Sequence, residues 1–275
     1  MQTVRIVLQK AAEHLKECGI EDGRRRFEEV LAATLGVKRL ELYMDIDRPL
    51  HEDELQRLRQ GLSRLAKHEP WQHIIGTVDF YDCTLQVNQD VLIPRQETEI
   101  LADMIAKGIG EEGVLWDICA GSGCLGLSLK KKFPKLQVSL SDISEKALAV
   151  AKRNASANDL EVNFCQGDLL TPFAGKKADY IVCNPPYIGE GEKLEPEVAD
   201  FEPKGALISG PTGLEFYERL ACELKSYLNE GGKVWMELGY TQGPAVSKLF
   251  VEAGWQAPSI TKDWAGHDRF FFLET

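Results

Sequence analysis

The chain divides by the period of its apolar positions. In "TVRIVLQKAAEHLKECGI" the residues Val4, Leu8, Ala11, Ala12 and Leu15 recur at helical spacing, and Gly19 suits the end of that helix. "RRRFEEVLAATLGV" places Phe27, Val30, Leu31 and Leu35 in the same way before Gly36. "HEDELQRLRQGLSRLAKHEP" repeats the pattern with Leu55, Leu58, Leu62 and Leu65 and stops at Pro70. Residues 1–70 therefore read as a small all-helical domain. From Trp71 the period shortens to two, and "WQHIIGTVDFYDCTLQVNQDVLIP" predicts a β-hairpin linker over 71–95. Over 96–275, after the helical "ETEILADMIAKGIG", strand-like runs alternate with amphipathic helical ones. The strands are "VLWDIC", "LQVSLSD", "EVNFCQGD", "YIVCN", "KVWMELG" and "RFFFLE". The helices are "CLGLSLKKKF", "SEKALAVAKRNASAND", "GLEFYERLACELKSYLNE" and "QGPAVSKLFVEAG". Such alternation predicts an α/β domain: a doubly wound, Rossmann-like, mostly parallel sheet with helices on both faces.

Composition narrows the function classes. At 275 residues, 44% hydrophobic and 27% charged, the chain is an ordinary globular protein. No apolar run reaches a membrane span and the N-terminus lacks a signal-peptide core, so a cytoplasmic address and no membrane partner are expected. Seven cysteines, odd in number and without a C-x-x-C pair, read as reduced core residues. Five histidines show no ligand spacing, so no metal is expected. A net charge of −11 argues against direct nucleic-acid binding and for a protein or small-molecule substrate. Arg24, Arg25 and Arg26, next to Glu28 and Glu29, read as a solvated helix face.

The first strand of the sheet runs into "DICAGSGCLG", Asp117 to Gly126. Glycines at 121 and 123 let a ligand approach the backbone, and the next helix offers unpaired amides. Gly121, Gly123 and Gly126 fit the G-x-G-x-x-G dinucleotide pattern, with Asp142 placed for a ribose, which suggests an NAD-dependent oxidoreductase. Two details favour S-adenosylmethionine. Asp117 serves no pyrophosphate but suits an aminoacyl ammonium, and Asp168 in "QGDLL" offers a carboxylate to an adenine amine. Asp142 can take both ribose hydroxyls. Each acid alone fits a helix N-cap equally well; together they form a constellation for a cationic adenosyl ligand.

The fourth strand ends in Asn184-Pro185-Pro186-Tyr187. Two prolines stop strand pairing and stiffen the exit. A rigid exit loop is the bland account. The chemical one is methyl transfer to a planar nitrogen, whose lone pair is delocalised and whose proton is too weakly acidic for a side-chain base. A protein can instead accept both N–H groups, one on the Asn184 side-chain oxygen and one on the Pro185 carbonyl. Tyr187 is placed to pack on the planar group.

These motifs, with "EPWQHIIG" (69–76), "VLIPRQETE" (91–99), "FEPKGALISG" (201–210), "MELGYTQG" and "KDWAGHDRF", resemble the PrmC/HemK family of release factor glutamine methyltransferases over nearly the whole chain. The resemblance implies a class I methyltransferase domain behind a helical domain that helps dock a peptide-chain release factor. It implies methylation of the glutamine side-chain nitrogen (N5) in the factor's Gly-Gly-Gln loop, modulating translation termination, by an enzyme expected to be a monomer. Carried over, the cofactor contacts fall on Cys119, Ala120, Gly121, Ser122, Gly123, Asp142, Asp168, Leu169 and Asn184, and the substrate amide on Asn184, Pro185, Pro186 and Tyr187. Cys119 stands where the family commonly has glycine, Leu169 where an aromatic is frequent, and Gln96 where proline is common. Arg95, Glu97 and Thr98 are expected to border the site or to tie the hairpin to the sheet. A nucleic-acid exocyclic-amine methyltransferase and a non-catalytic binding protein of the same fold are the alternatives.

Overall fold

The computed structural model describes residues 2–256 and 258–275, in two compact units. The first comprises the chain up to Thr77 together with Leu194–Phe201. Helices α1 (Val4–Glu17), α2 (Gly23–Leu35) and α3 (Glu52–Leu65) enclose a core of Val4, Leu8, Ala11, Leu15, Phe27, Val30, Leu31, Leu55, Leu58 and Leu65, much of it the face the periodicity predicts. Gly36 closes α2 at φ 66°. A 3-10 turn at Arg39–Tyr43, not anticipated, buries Leu42.

Two expectations need correction here. Trp71–Ile75 is not part of a hairpin but a short helix, α4, entered through Pro70 and closed by Gly76 at φ 84°. Trp71 and Ile74, three residues apart, pack on the helical core, so tertiary burial outweighs the local alternation. Nor is Arg26 simply solvated, although Arg24 and Arg25 are exposed as expected. Arg26 binds Asp22 at 2.6 Å and pairs with Glu197 of α8 (Pro196–Phe201), while Arg24 reaches the buried Glu28 at 3.2 Å.

The second unit, Val78–Lys193 and Glu202–Thr275, opens on the hairpin β1 (Thr77–Phe80) and β2 (Cys83–Gln86), then α5 (Gln96–Gly108). The main sheet follows: β3 (Glu112–Ile118), α6 (Cys124–Lys132), β4 (Lys135–Asp142), α7 (Glu145–Ala157), β5 (Asn163–Gln166) and β6 (Ala178–Cys183). A small parallel pair, β7 (Ile188–Gly189) and β8 (Ile208–Gly210), precedes α9 (Glu215–Glu223), β9 (Leu228–Glu237), α10 (Gly243–Glu252), β10 (Ser259–Lys262) and β11 (Asp268–Glu274). The order is β10-β11-β9-β6-β3-β4-β5. The five strands from β9 to β5 are mutually parallel, and β11 and β10 are antiparallel additions at one edge.

Alternate residues of β3, β6, β9 and β11 enter opposite cores. Leu115, Val182, Trp235 and Phe270 pack with residues of α5 and α6, whereas Trp116, Ile181, Met236 and Phe271 pack with residues of α9 and α10. Burial on both faces explains why these strands read as nearly continuous apolar runs. The predicted helix over 213–230 is shorter, because β9 starts at Leu228, with Gly231 at φ 71° interrupting its register against β6.

Candidate active site

β3 is the switch point: β4 lies on one side of it and β6 on the other. In register, Ile118 pairs with Ser141 and with Cys183, and Cys183 with Met236. The residues that follow these positions, Cys119, Asp142, Asn184 and Glu237, therefore emerge along the carboxyl ends of neighbouring strands, where ligands of such sheets bind. A cavity of about 310 Å³ opens there, lined by Asp117, Cys119, Ala120, Gly121, Ser122, Asp142, Asp168, Leu169, Asn184 and Pro186 among the residues expected from sequence. Gly123, Pro185 and Tyr187 do not line it. Gly123 instead starts α6 at φ 82°, and an added Cβ would press on Leu127 at 3.0 Å.

The three acids differ in state. Asp117 is 1% exposed; its Oδ2 accepts the Gly126 N–H at 2.8 Å, and among the described residues nothing bonds Oδ1. Burial pushes its carboxyl up to about 7, against the Gly126 bond and with help from the charge of Asp142. Asp142 accepts Gly121 N–H on Oδ2 (2.9 Å) and Ser144 N–H on Oδ1 (2.8 Å), which fixes the carboxylate and leaves each oxygen a lone pair for a hydroxyl. Burial raises its pKa while these amides oppose the rise. Asp168 is half exposed and held by Arg219 through two bonds, 3.1 and 2.8 Å. The sequence offered no sign of this guanidinium, which belongs to α9.

The backbone explains the loop's composition. Gly121 has φ 54°, and a Cβ there would meet no protein atom, so it faces open cavity. Cys119 (φ 58°) and Leu169 (φ 48°) are left-handed without being glycine. That conformation costs a side-chain-bearing residue about 1–2 kcal/mol, which accounts for the glycine expected at position 119. Gly126 allows α6 to approach β3: a Cβ would lie 3.0 Å from both Asp117 and Leu140.

At the other end of the cavity, the Asn184 Nδ2 donates to Glu237 Oε2 at 3.1 Å and to Thr98 Oγ1 at 3.3 Å. Thr98 Oγ1 in turn donates to Glu237 Oε2 at 2.6 Å, and the Tyr187 hydroxyl lies 3.5 Å from Glu237 Oε1. Gln242 holds the Tyr187 carbonyl at 2.8 Å. Among the described residues, no donor reaches Asn184 Oδ1 or the Pro185 carbonyl. Glu237 is 1% exposed; burial raises its pKa and the Thr98 hydroxyl opposes the rise. Burial, reinforced by Glu237, likewise raises that of Tyr187. Sequence reasoning missed Glu237, although a lone acid closing the apolar run "VWME" was its signal. It also missed Pro203, Gly205 and Ala206, which line the cavity and carry no reactive group. Glu202 (5% exposed) ties their segment to the loop before α5, accepting Ile93 N–H at 3.0 Å and pairing with Arg95. Of the three residues expected to border the site, Thr98 lines the cavity and Arg95 and Glu97 do not; Arg95 pairs with Glu202 instead of tying the hairpin to the sheet.

The fold and its cavity define a class I methyltransferase domain. A solved structure of T. thermophilus 16S rRNA N2 G1207 methyltransferase (RsmC), in complex with AdoMet and guanosine, shares it with TM-score 0.53 and 16% identity, over 72% of this chain and 49% of that one. Residues 96–201 match the methyltransferase small domain model and residues 7–76 the PrmC N-terminal domain model. The release factor glutamine methyltransferase of Chlamydia trachomatis serovar L2 is 42% identical, over 98% of this chain and 93% of that protein. Its namesake in Bacillus subtilis (strain 168) is 39% identical, over 98% and 96%. The chain belongs to the release factor glutamine methyltransferase family.

Proposed function

We propose that this protein transfers a methyl group from S-adenosylmethionine to the side-chain amide nitrogen of the glutamine in the Gly-Gly-Gln loop of a peptide-chain release factor. The observation that carries the reading is one cavity running from the unpartnered Asp117 Oδ1 to Asn184. The residues fit the cofactor. Asp117 takes the aminoacyl ammonium, Asp142 the ribose hydroxyls, and Asp168, oriented by Arg219, the adenine amine. Leu169, Ile143 and Phe216 line the cavity and supply apolar contact to a base. Cys119 contributes backbone atoms, and Gly121 leaves room for the ligand to approach. A pyrophosphate would face the Asp117 carboxylate, which disfavours a dinucleotide.

When bound, the cofactor supplies an electrophilic sulfonium methyl. Asn184 Oδ1 and the Pro185 carbonyl accept the two N–H groups of the substrate amide and hold its nitrogen in line with that methyl. They also stabilise the positive charge that develops as the N–C bond forms and the S–C bond breaks, with its electron pair left on sulfur. The surplus proton then leaves the acidified nitrogen to water, so no catalytic base is required. Pro185 and Pro186 keep the acceptor immobile.

The helical unit is proposed to dock the release factor. It belongs to the part matched by the PrmC N-terminal model and exposes Leu40, Tyr43 and Met44, at 71%, 44% and 85%.

The test uses methyl-labelled S-adenosylmethionine, a purified release factor, and the same factor with its loop glutamine changed to alanine. Label is expected in the intact factor only. Label in neither, or in added RNA or DNA instead, would overturn the reading.

A further inference from the structure

Glu237 is a buried carboxylate with no cation bonded to it among the described residues; its partners are Thr98, Asn184 and the distant Tyr187 hydroxyl. Burying an acid in this way is costly, and an apolar residue at the end of β9 would avoid the cost. Its position suggests what the cost secures. The two ends of a carboxamide have nearly the same shape, so packing alone cannot decide which one faces the cavity; the hydrogen-bond network decides.

We propose that Glu237 is a positioning residue that fixes the Asn184 amide with Nδ2 inward and Oδ1 toward the substrate. The inference rests on the function proposed above. Glu237 Oε2 accepts from Nδ2 at 3.1 Å. Thr98 directs its only hydroxyl proton to Glu237, at 2.6 Å, and so turns a lone pair toward Nδ2, at 3.3 Å. Both inward neighbours are thus acceptors. A turned amide would set Oδ1 against a carboxylate and a hydroxyl lone pair, and would present N–H groups to the cavity.

The consequence is chemical. The substrate nitrogen brings two N–H donors and needs acceptors, which the outward Oδ1 and the Pro185 carbonyl provide. A turned Asn184 would oppose donor to donor and leave the nucleophile unaligned. The same orientation discriminates against glutamate, whose carboxylate brings acceptors to acceptors. Turnover then depends on the fraction of molecules with Oδ1 outward, while the cofactor end of the cavity, at Asp117 and Asp142, is unaffected.

The test separates orientation from mere support. In Glu237→Gln the new side chain can donate to or accept from Asn184, so both orientations become satisfied. We expect kcat toward the release factor to fall by about tenfold or more, with S-adenosylmethionine affinity within about twofold of wild type. In that background Asn184→Asp should regain turnover, because a carboxylate offers an oxygen whichever way it is turned and the amide introduced by Glu237→Gln can donate to the other oxygen. In the parent protein, Asn184→Asp should be worse than the pair, since two acids then face each other. A second readout is made on the wild-type protein: the Asn184 side-chain NH2, assigned by comparison with Asn184→Asp, should be protected from solvent exchange. Glu237→Gln with wild-type kcat overturns the inference. So does equal loss in Glu237→Gln and the double variant while both bind cofactor, and so does rapid exchange of the wild-type NH2. An inactive wild-type enzyme would instead remove the proposed function on which the inference rests.

Discussion

At the scale of single residues, Asp117 carries the clearest electrostatic consequence. An unfolded aspartate titrates near ~3.9. The folded carboxyl, pushed up to about 7, holds its proton across the window above that value. The native state therefore binds more protons than the unfolded one there, and this group's contribution to stability declines as pH rises through the window. A ligand ammonium on Oδ1 reverses the preference, because it favours the carboxylate and expels the proton. Affinity for S-adenosylmethionine should accordingly rise from about pH 5 to pH 7 and then level, until the ligand's own amine begins to deprotonate near ~8. Calorimetry near pH 6, in buffers of different ionisation heat, should show proton release that Asp117→Asn lacks. A flat affinity profile in the wild type would mean that the ammonium lies elsewhere. The acid itself was legible because it precedes the glycines of "DICAGSG". Its protonation was not, since burial by β3 and α6 depends on the close approach at Gly126.

At the scale of elements, the sequence was informative wherever one periodic pattern met one environment. β3, β6 and β11 were legible because two-sided burial makes their runs apolar, β4 because its apolar residues alternate onto one core, and α1 to α3 because each has one buried face. The misreadings have physical causes. "WQHII" alternates weakly but packs as a helix, and β10 has only a partly buried Ile260 in an exposed edge strand. The cavity wall formed by Pro203, Gly205 and Ala206 was silent, because its role comes from position and not from reactive atoms. That wall depends on Glu202, whose side chain is 1% exposed and bonded to Ile93 N–H and Arg95. Glu202→Ala leaves a buried amide unpaired and frees a guanidinium that is already one-third exposed. We expect a loss of about 1–3 kcal/mol. For a domain of this size that is roughly 3–10 °C in Tm. S-adenosylmethionine binding should weaken as well. Scanning calorimetry with a cofactor titration checks both; an unchanged cofactor affinity would show that the wall stands without its tie.

At the scale of the whole molecule, every residue lining the cavity lies between Asp90 and Phe216 within the second unit, whereas the helical unit has a separate core. Under the proposed function, cofactor binding and acceptor alignment then draw on this cavity alone and not on the helical unit's exposed apolar residues. Nothing in the first unit's core requires Leu40 and Met44 to be apolar, since both are exposed on the turn that buries Leu42. Their apolar side chains there have an explanation if a protein partner covers them. The prediction is a division of kinetic effects. Replacing both Leu40 and Met44 by Ser should leave stability within about 0.5 kcal/mol. It should also leave methyl transfer to a short Gly-Gly-Gln peptide unchanged, because under the proposed function that acceptor is held by Asn184 and Pro185. With the intact release factor, KM should rise about fivefold or more while kcat is preserved, the signature of binding energy lost equally from ground and transition states. An unchanged KM would remove this surface from the docking interface, and a fall in kcat with the peptide would show that the helical unit reaches into catalysis.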